Sequence, residues 1–247
     1  MSASIKAGLN NDMHLMTDGV TRAYVDGNGK VGIGTDSPTS GLHVQTDTNP
    51  VMKVSRGTNN AANINLYYNT TFTGQVSGSA GAFQLSSVGS STPMQFYTDG
   101  SKNMEIDENG YVTMDSQPSF AASKTSGHVT SADQIYIANI VRHNTGGHYN
   151  SSTGRFTAPT SGKYFISTML MSLDDQAYNN KFYRLRVNGS AIQNVYSTTS
   201  GASGHHQWQW SGVISLNAQD YVDLQINNVG MYGSNQLYSW FSGHLLG

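Results

Sequence analysis

The chain has 247 residues, a formal net charge of −2 and only 11% charged side chains. A near-neutral chain lacks the basic surface by which proteins bind nucleic acids or anionic membranes. The absence of cysteine excludes disulfides and thiolate metal sites. No segment reaches the ~20 apolar residues of a membrane span, and the first residues lack the apolar core of a secretory signal. We therefore expect no nucleic-acid partner and no membrane insertion.

The composition favours β-structure throughout. Few charges, 27 glycines and abundant Ser, Thr and Asn are poor material for helices and suit short strands with tight turns. We predict an all-β protein.

The first half contains an ungapped repeat, in which residues 13–33 align with residues 94–114. Both turn sequences are repeated: Asp18-Gly19 aligns with Asp99-Gly100, and Asn28-Gly29 aligns with Asn109-Gly110. These dipeptides supply the positive φ angles of two-residue hairpin turns, and the flanking residues alternate apolar and polar. Each copy therefore predicts three short strands joined by two hairpin turns.

The first copy continues into Gly32-Ile33-Gly34-Thr35 and then Leu42-His43-Val44. This order resembles a module common in bacteriophage tail fibres and related adhesins. The resemblance implies fibre modules at about 13–44 and 94–114, arranged along a trimeric β-rich shaft. Residues 51–93 predict a small meander between the modules. We expect residues 1–117 to form a fibre or attachment region.

The second half predicts a series of alternating strands separated by turns. The predicted segments are 118–125, 135–144, 162–171, 182–192 with Asn188-Gly189 at its tip, 208–216, 220–226 and 240–246. Together with the loop between Tyr149 and Phe156, this order resembles the globular head of complement within the tumour necrosis factor superfamily. The resemblance implies that residues 118–247 form a jelly-roll β-sandwich and assemble as a homotrimer.

No motif indicates catalysis. Asp174 and Asp175 are adjacent acids, but neighbours in a strand or turn point in different directions and form no acid/base couple. The eight histidines include no metal-ligand pair with HxxxH or HxH spacing, and neither a nucleophile elbow nor a phosphate loop is present. We predict that the chain is not an enzyme and has no catalytic or cofactor-binding residues.

Calcium is the one ion that the resemblance implies, because some heads of this family bind Ca²⁺ through loop carboxylates. Asp133, Asp174 and Asp175 fall in predicted loops and offer oxygen ligands. The alternative is that they are ordinary solvated acids, since no fixed calcium-loop pattern is present.

Aromatic and histidine residues divide into two predicted groups. Exposed rings in loops suit receptor binding, whereas large rings in strands suit core or intersubunit packing. The receptor-binding candidates are Tyr178, Tyr196, His205, His206 and Tyr232, in or beside the loops 174–180, 197–207 and 228–236. The core or trimer candidates are Phe120, Phe156, Tyr164, Trp208, Trp210, Trp240 and Phe241.

These predictions together describe a virion fibre or spike protein on the particle surface. Its trimeric head would bind a host-surface glycan or protein receptor by multivalent adhesion, while residues 1–117 would contact other virion proteins. A virion decoration or adaptor protein without a ligand is one alternative. A polysaccharide depolymerase and a free-standing lectin are the others.

Overall fold

The computed structural model describes residues 3–7, 12–46, 62–68, 70–79, 82–87, 92–125, 127–130, 132–173, 181–196, 204–227 and 229–247. The chain divides into two compact units, Met1–Met94 and Gln95–Gly247. Among the described residues, no helix is long and apolar enough to cross a membrane. The predicted division into an attachment region at 1–117 and a head at 118–247 remains a prediction.

The described residues of the first unit form two sheets. A five-stranded sheet has the order β1-β2-β3-β4-β5, in which only β4 and β5 pair in parallel. Its strands are β1 (Ala3–Ala7), β2 (Met13–Thr17), β3 (Val20–Val25), β4 (Val31–Ile33) and β5 (Leu42–Val44). The predicted meander is a three-stranded antiparallel sheet of β6 (Ala62–Tyr68), β7 (Thr71–Ser79) and β8 (Ala82–Ser87).

The second repeat copy also forms three strands, β9 (Met94–Thr98), β10 (Ser101–Ile106) and β11 (Val112–Thr113). The prediction of three strands and two turns in each copy is therefore confirmed. At the first turn, Asp18 and Asp99 have φ angles of 50° and 49°, each followed by a glycine with positive φ.

The second turn of each copy is longer than the predicted two-residue turn. A carboxylate organises it: Asp26 Oδ1 accepts hydrogen bonds from the N–H groups of Asn28 and Lys30, at 2.9 and 2.8 Å. Asp107 does the same with Asn109 and Tyr111. A two-residue turn would need positive φ at both residues of each Asn-Gly pair, but only the glycine has it. The hydrogen bonds to the aspartate side chain stabilise the longer turn instead.

The head is a sandwich of two five-stranded sheets with the orders β13-β12-β21-β16-β19 and β14-β15-β20-β17-β18. The strands of the first sheet are β12 (Ser119–Ser123), β13 (Ile140–Thr145), β16 (Gly162–Met171), β19 (Gln207–Leu216) and β21 (Ser239–Leu245). The strands of the second sheet are β14 (Tyr149–Asn150), β15 (Arg155–Thr157), β17 (Phe182–Val187), β18 (Ser190–Tyr196) and β20 (Tyr221–Asn227). The predicted all-β jelly roll is confirmed.

An aromatic cluster fills the space between the two sheets. The Phe120 ring is stacked at 4.9 Å on Tyr149 and at 4.7 Å on Phe156, and meets the Phe241 ring edge-on at 4.9 Å. All four rings are buried, as is Tyr164. Buried rings in stacked and edge-on pairs stabilise the core beyond the area they remove from water.

The predicted strand 135–144 is wrong in its first half. Residues 135–139 cross from one sheet to the other: Ile135 forms an isolated bridge with Gln225, and the Tyr136 N–H donates to Leu224 O at 2.8 Å. Regular pairing with β12 begins only at Ile140. The alternation of apolar residues continues through this crossing because Tyr136 and Ala138 are both buried.

Candidate functional site

The first sheet of the head has an outer face on which aromatic and aliphatic side chains lie among Ser, Gln and His side chains, and we call it the groove face. Alternation along β16 directs Tyr164 and Ile166 into the core and leaves Phe165 and Met169 on the outer side. The neighbouring strands add Trp240 from β21 and Val213 from β19, and Val213 is 54% exposed.

Two adjoining grooves cross this face, with volumes of about 610 and 430 Å³. Trp240 and Ser167 line both of them. The indole Nε1 of Trp240 donates to Ser242 Oγ at 2.8 Å, and the Arg142 guanidinium lies 5.7 Å from the centre of the indole ring. The cation–π contact stabilises the position of the ring, and Trp and Arg are both enriched where one protein packs against another.

The outer face of the second sheet is charged. The Asp223 carboxylate is fully buried and accepts from Arg186 Nε and Nη2 at 2.7 and 2.9 Å and from Arg155 Nε at 3.2 Å. The hydrogen bond with Asp223 raises the pKa of Arg186. Arg184 pairs with Asp133 at 3.0 Å on the same face.

Four rings from three separate segments meet at one end of the sandwich, and we call them the His–Tyr cluster. The Tyr232 ring lies 4.8 Å from His128, 5.5 Å from His205 and 5.2 Å from Tyr238. Except for the half-buried Tyr232, these side chains are exposed. The cluster presents flat rings and polar edges to solvent, which suits non-covalent recognition.

Hydrogen bonds fix the two imidazoles. The Gly233 N–H donates to His128 Nδ1 at 3.1 Å, which requires that this nitrogen carry no proton. His205 Nδ1 lies 2.9 Å from the Ser172 carbonyl oxygen, so it is the donor there. Both rings are therefore held in defined orientations by backbone groups.

A buried layer supports the cluster from below. Tyr136 donates its hydroxyl to the Tyr232 carbonyl oxygen at 3.0 Å, and burial raises the pKa of Tyr136 to about 12. Lys124 donates to Ile137 O at 3.3 Å, and burial lowers its pKa. A Cβ atom at Gly233 would lie 2.0 Å from Gly127 O, so only glycine allows this close backbone approach.

The predicted calcium ligands are not brought together among the described residues. Asp133 is exposed, has φ of 60° and pairs with Arg184, which supplies the positive charge that a cation would bring. Asp174 and Asp175 lie outside the described residues. In the part of the chain that the structure describes, no group of three His, Asp or Glu side chains could hold a metal ion. Calcium binding remains a prediction.

The predicted receptor residues do not all lie together. His205 and Tyr232 belong to the His–Tyr cluster, and the N–H of the adjacent His206 donates to Ser172 Oγ at 3.0 Å. Tyr196 lies on the second sheet instead, with its ring 4.8 Å from Phe182. Tyr178 lies outside the described residues.

The predicted core or trimer residues fall into two sets. Five are buried in the core: Phe120, Phe156, Tyr164, Trp208 and Phe241. Trp210 and Trp240 are half-buried and line the larger groove. Successive residues of a strand point to opposite sides, so Trp240 lies on the groove face and its neighbour Phe241 lies in the core.

Sequence reasoning missed His128 and Arg142 as surface residues of interest. His128 reaches Tyr232 because Val129 pairs with Met231 across more than a hundred residues. No local spacing carries that information. Arg142 lies in β13, where three consecutive residues are exposed, so alternation did not single it out either.

Comparisons with known proteins agree with this architecture. The family model described as C1q domain matches residues 119–246, just over half of the chain. Complement C1q tumor necrosis factor-related protein 3 of Homo sapiens is 31% identical over 134 residues, covering 53% of this chain and 51% of that protein. Caprin-2 of Danio rerio is 32% identical over 130 residues, covering 51% of this chain and 14% of Caprin-2.

Among solved structures, the globular domain of zebrafish complement 1qA matches with a TM-score of 0.43 and 16% identity, covering 53% of this chain and 98% of that domain. The chain thus spans about half the length, or less, of the curated relatives it matches.

These relatives correct the predicted source and role. The prediction of a bacteriophage or virion fibre protein that adheres to a host surface is wrong, because the related proteins are eukaryotic C1q proteins. The predicted virion localisation is wrong for the same reason, and the predicted virion partners have no support. The error arose from the resemblance of Gly32-Ile33-Gly34-Thr35 and Leu42-His43-Val44 to fibre modules, because short strand and turn sequences of this kind encode local structure and do not report the source of a protein.

The C1q domain is a ligand-binding or adhesion module without enzymatic activity, so the prediction that the chain is not an enzyme is confirmed. The sandwich topology, the aromatic core and the matched residues 119–246 lead to one assignment. The chain belongs to the C1q domain family.

Proposed function

We propose that this chain is a non-enzymatic binding protein whose C1q-type head forms a homotrimer through the groove face and binds a receptor through the His–Tyr cluster. C1q-type domains typically form homotrimers and bind receptors. The observation that carries the proposal is the contrast between the two outer faces of the sandwich.

That contrast selects the face that other copies cover. Exposed Val213 and half-buried Phe165, Met169 and Trp240 lie on the groove face, and covering apolar and aromatic groups is the main driving force of association. The second sheet instead carries the Asp223 ion pairs, whose hydrogen-bonding groups are already satisfied within the chain. The centre of this outer face therefore gains little from a partner, and its exposed apolar side chains, Ile192 and Tyr196, are confined to the edge strand β18.

The His–Tyr cluster supports the receptor half of the proposal. Tyr238 lies in sequence between Leu237 and Ser239, which line the larger groove, so the cluster borders the proposed interface. A trimer would present three copies of the cluster, and several weak contacts made together give durable attachment.

Light scattering on the full chain at micromolar concentration tests assembly. We expect three times the chain mass. Val213→Asp places a charge on the groove face and should shift the protein to lower mass at concentrations where the wild type is trimeric. Tyr196→Asp is the matched control, because Tyr196 is also 54% exposed but lies on the second sheet. A monomeric wild type would refute the proposed homotrimer.

Binding of the labelled protein to cultured animal cells tests the receptor surface. Tyr238→Ala combined with His128→Ala should reduce binding at least tenfold while the trimer mass stays unchanged. Tyr196→Ala should have little effect. If binding falls equally in the cluster variant and in the control, or falls in neither, the cluster is not part of the receptor-binding surface.

A further inference from the structure

The two repeat modules before the head each expose an apolar sheet face. In the first module, the pairing register places eight side chains on one side of four adjoining strands. They form two rows: Leu15, Ala23, Ile33 and Val44, and Met13, Val25, Val31 and Leu42. All eight are apolar, and we call this surface the module face.

The opposite side of the same sheet is mostly polar, and several of its side chains are hydrogen-bonded to one another. His14, Tyr24 and His43 lie there in register. His14 Nδ1 is 3.1 Å from Thr21 Oγ1, and the Tyr24 hydroxyl donates to Asp12 Oδ2 at 3.2 Å. A sheet with one polar and one apolar side needs something to cover the apolar side.

The second module repeats this arrangement through its own sequence. Met94, Phe96, Met104, Ile106, Val112 and Met114 align with module-face positions of the first copy, and Ile106 pairs with Val112 as Val25 pairs with Val31. The alternate residues are polar: the Gln95 side-chain amide donates to Glu105. The apolar face is therefore a property of the repeat and not of one strand.

These faces remain open within the chain. Leu15 is 45% and Leu42 58% exposed in the first module, and Phe96 is 42% exposed in the second. Burying one such aliphatic side chain removes ~60–120 Å² from water, so half-exposed rows leave on the order of 300 Å² open in each module. The largest apolar patch of a typical monomer is about 300–600 Å² and is often functional, and each module face reaches that range on a sheet of only three to five strands.

We propose that the module faces are covered by the same faces of other copies of this chain, so that the region before the head is a self-associating stalk. Eight uncharged side chains offer nothing that repels an identical face. The proposed homotrimeric head, on which this inference rests, would hold three copies of each module close together. Tethering raises the local concentration of the modules, to about the millimolar range where the connection to the head is short, and this favours a second copy over other partners.

Single-cysteine variants of the full chain test this contact, because the native sequence has no cysteine. Ala23→Cys places a thiol on the middle strand of the first module face, and Tyr24→Cys places one on the opposite side, one residue away. Met104→Cys and Glu105→Cys are the aligned pair in the second module. Each variant is treated with a short bismaleimide and analysed on a denaturing gel, after circular dichroism has shown an unchanged fold.

We expect Ala23→Cys and Met104→Cys to form covalent dimers at least tenfold faster than their neighbouring controls. A trimeric protein in which neither pair differs would overturn the stalk and leave the head trimer intact. Cross-linking at the module faces in a protein whose mass is unaffected by Val213→Asp would instead support the stalk and count against the groove face. A monomeric wild type whose module-face cysteines do not cross-link would overturn both.

Discussion

Asp223→Asn removes the one fully buried carboxylate among the described residues and tests whether its ion pairs stabilise the head. The carboxylate accepts three charge-assisted hydrogen bonds, two of them from the planar fork of Arg186. Asparagine keeps one acceptor oxygen but turns an NH₂ group toward guanidinium donors. The variant therefore leaves a largely buried guanidinium without its counter-charge.

The expected cost follows from burial of the partners. Arg186 has only 12% of its side chain exposed, and removing one partner of a buried pair costs ~3–5 kcal/mol. Arg186 retains some access to water, so we expect the lower end, about 3 kcal/mol. For a unit of this size that lowers Tm by about 6–12 °C. Arg155→Met is the control: its side chain is 40% exposed, and the loss should be below ~1 kcal/mol.

Thermal unfolding of the full chain, followed by circular dichroism at pH 7, measures both variants. An Asp223→Asn protein that melts within ~2 °C of the wild type would show that the buried carboxylate contributes little. The double variant Arg186→Met with Asp223→Leu gives a second check. Its loss of unfolding free energy should be smaller than the sum of the losses in the two single variants, because the effects of substitutions within one ion-pair network do not add.

Three further predictions concern the core, alkaline stability and one turn. Phe120→Ala should lower the unfolding free energy by ~3–5 kcal/mol because three aromatic rings lose their shared neighbour, and Phe120→Leu should cost less than half as much; equal denaturant midpoints for the two would contradict this. Burial raises the pKa of Tyr136 from 10.0 to about 12, so the stability that its neutral hydroxyl contributes is complete below pH ~10 and is lost between pH ~10 and ~12, roughly 3 kcal/mol in all. Urea midpoints should fall across that interval, and less so in Tyr136→Phe; an equal fall in both would exclude Tyr136 as the cause. Asn188 has φ of 51°, and its side-chain amide donates to Asp220 Oδ1 at 2.7 Å. Alanine and glycine both remove this hydrogen bond, but only alanine is strained at positive φ, so Asn188→Ala should lower the unfolding free energy by ~1 kcal/mol more than Asn188→Gly. Equal Tm values for these two would show that the turn carries no strain.

Local patterns predicted the head well because strands and turns are encoded over a few residues. Asn188-Gly189 fixed the hairpin between β17 and β18, and alternation around Tyr164 gave the bounds of β16. The same logic failed at residues 135–139, where the chain crosses between sheets while its buried side chains keep alternating.

The candidate site was predicted only in part, because it depends on contacts between distant segments. His205 and Tyr232 were named from their loops, but nothing near His128 indicated that its ring would reach Tyr232. The division of Trp240 and Phe241 between surface and core follows from strand period, once the face that points inward is known. Which face of the strand points inward is determined by how the two sheets pack, and neither residue alone indicates it.

The first and last strands of the head, β12 and β21, are hydrogen-bonded neighbours in the same sheet. Both ends of the domain therefore lie at one site, and whatever precedes the domain can be exchanged without threading through the sandwich. Such a domain is portable: it can be appended to unrelated segments as a complete unit. The shared region makes up 51% of one relative and 14% of another, which is the pattern expected of a domain joined to different companions.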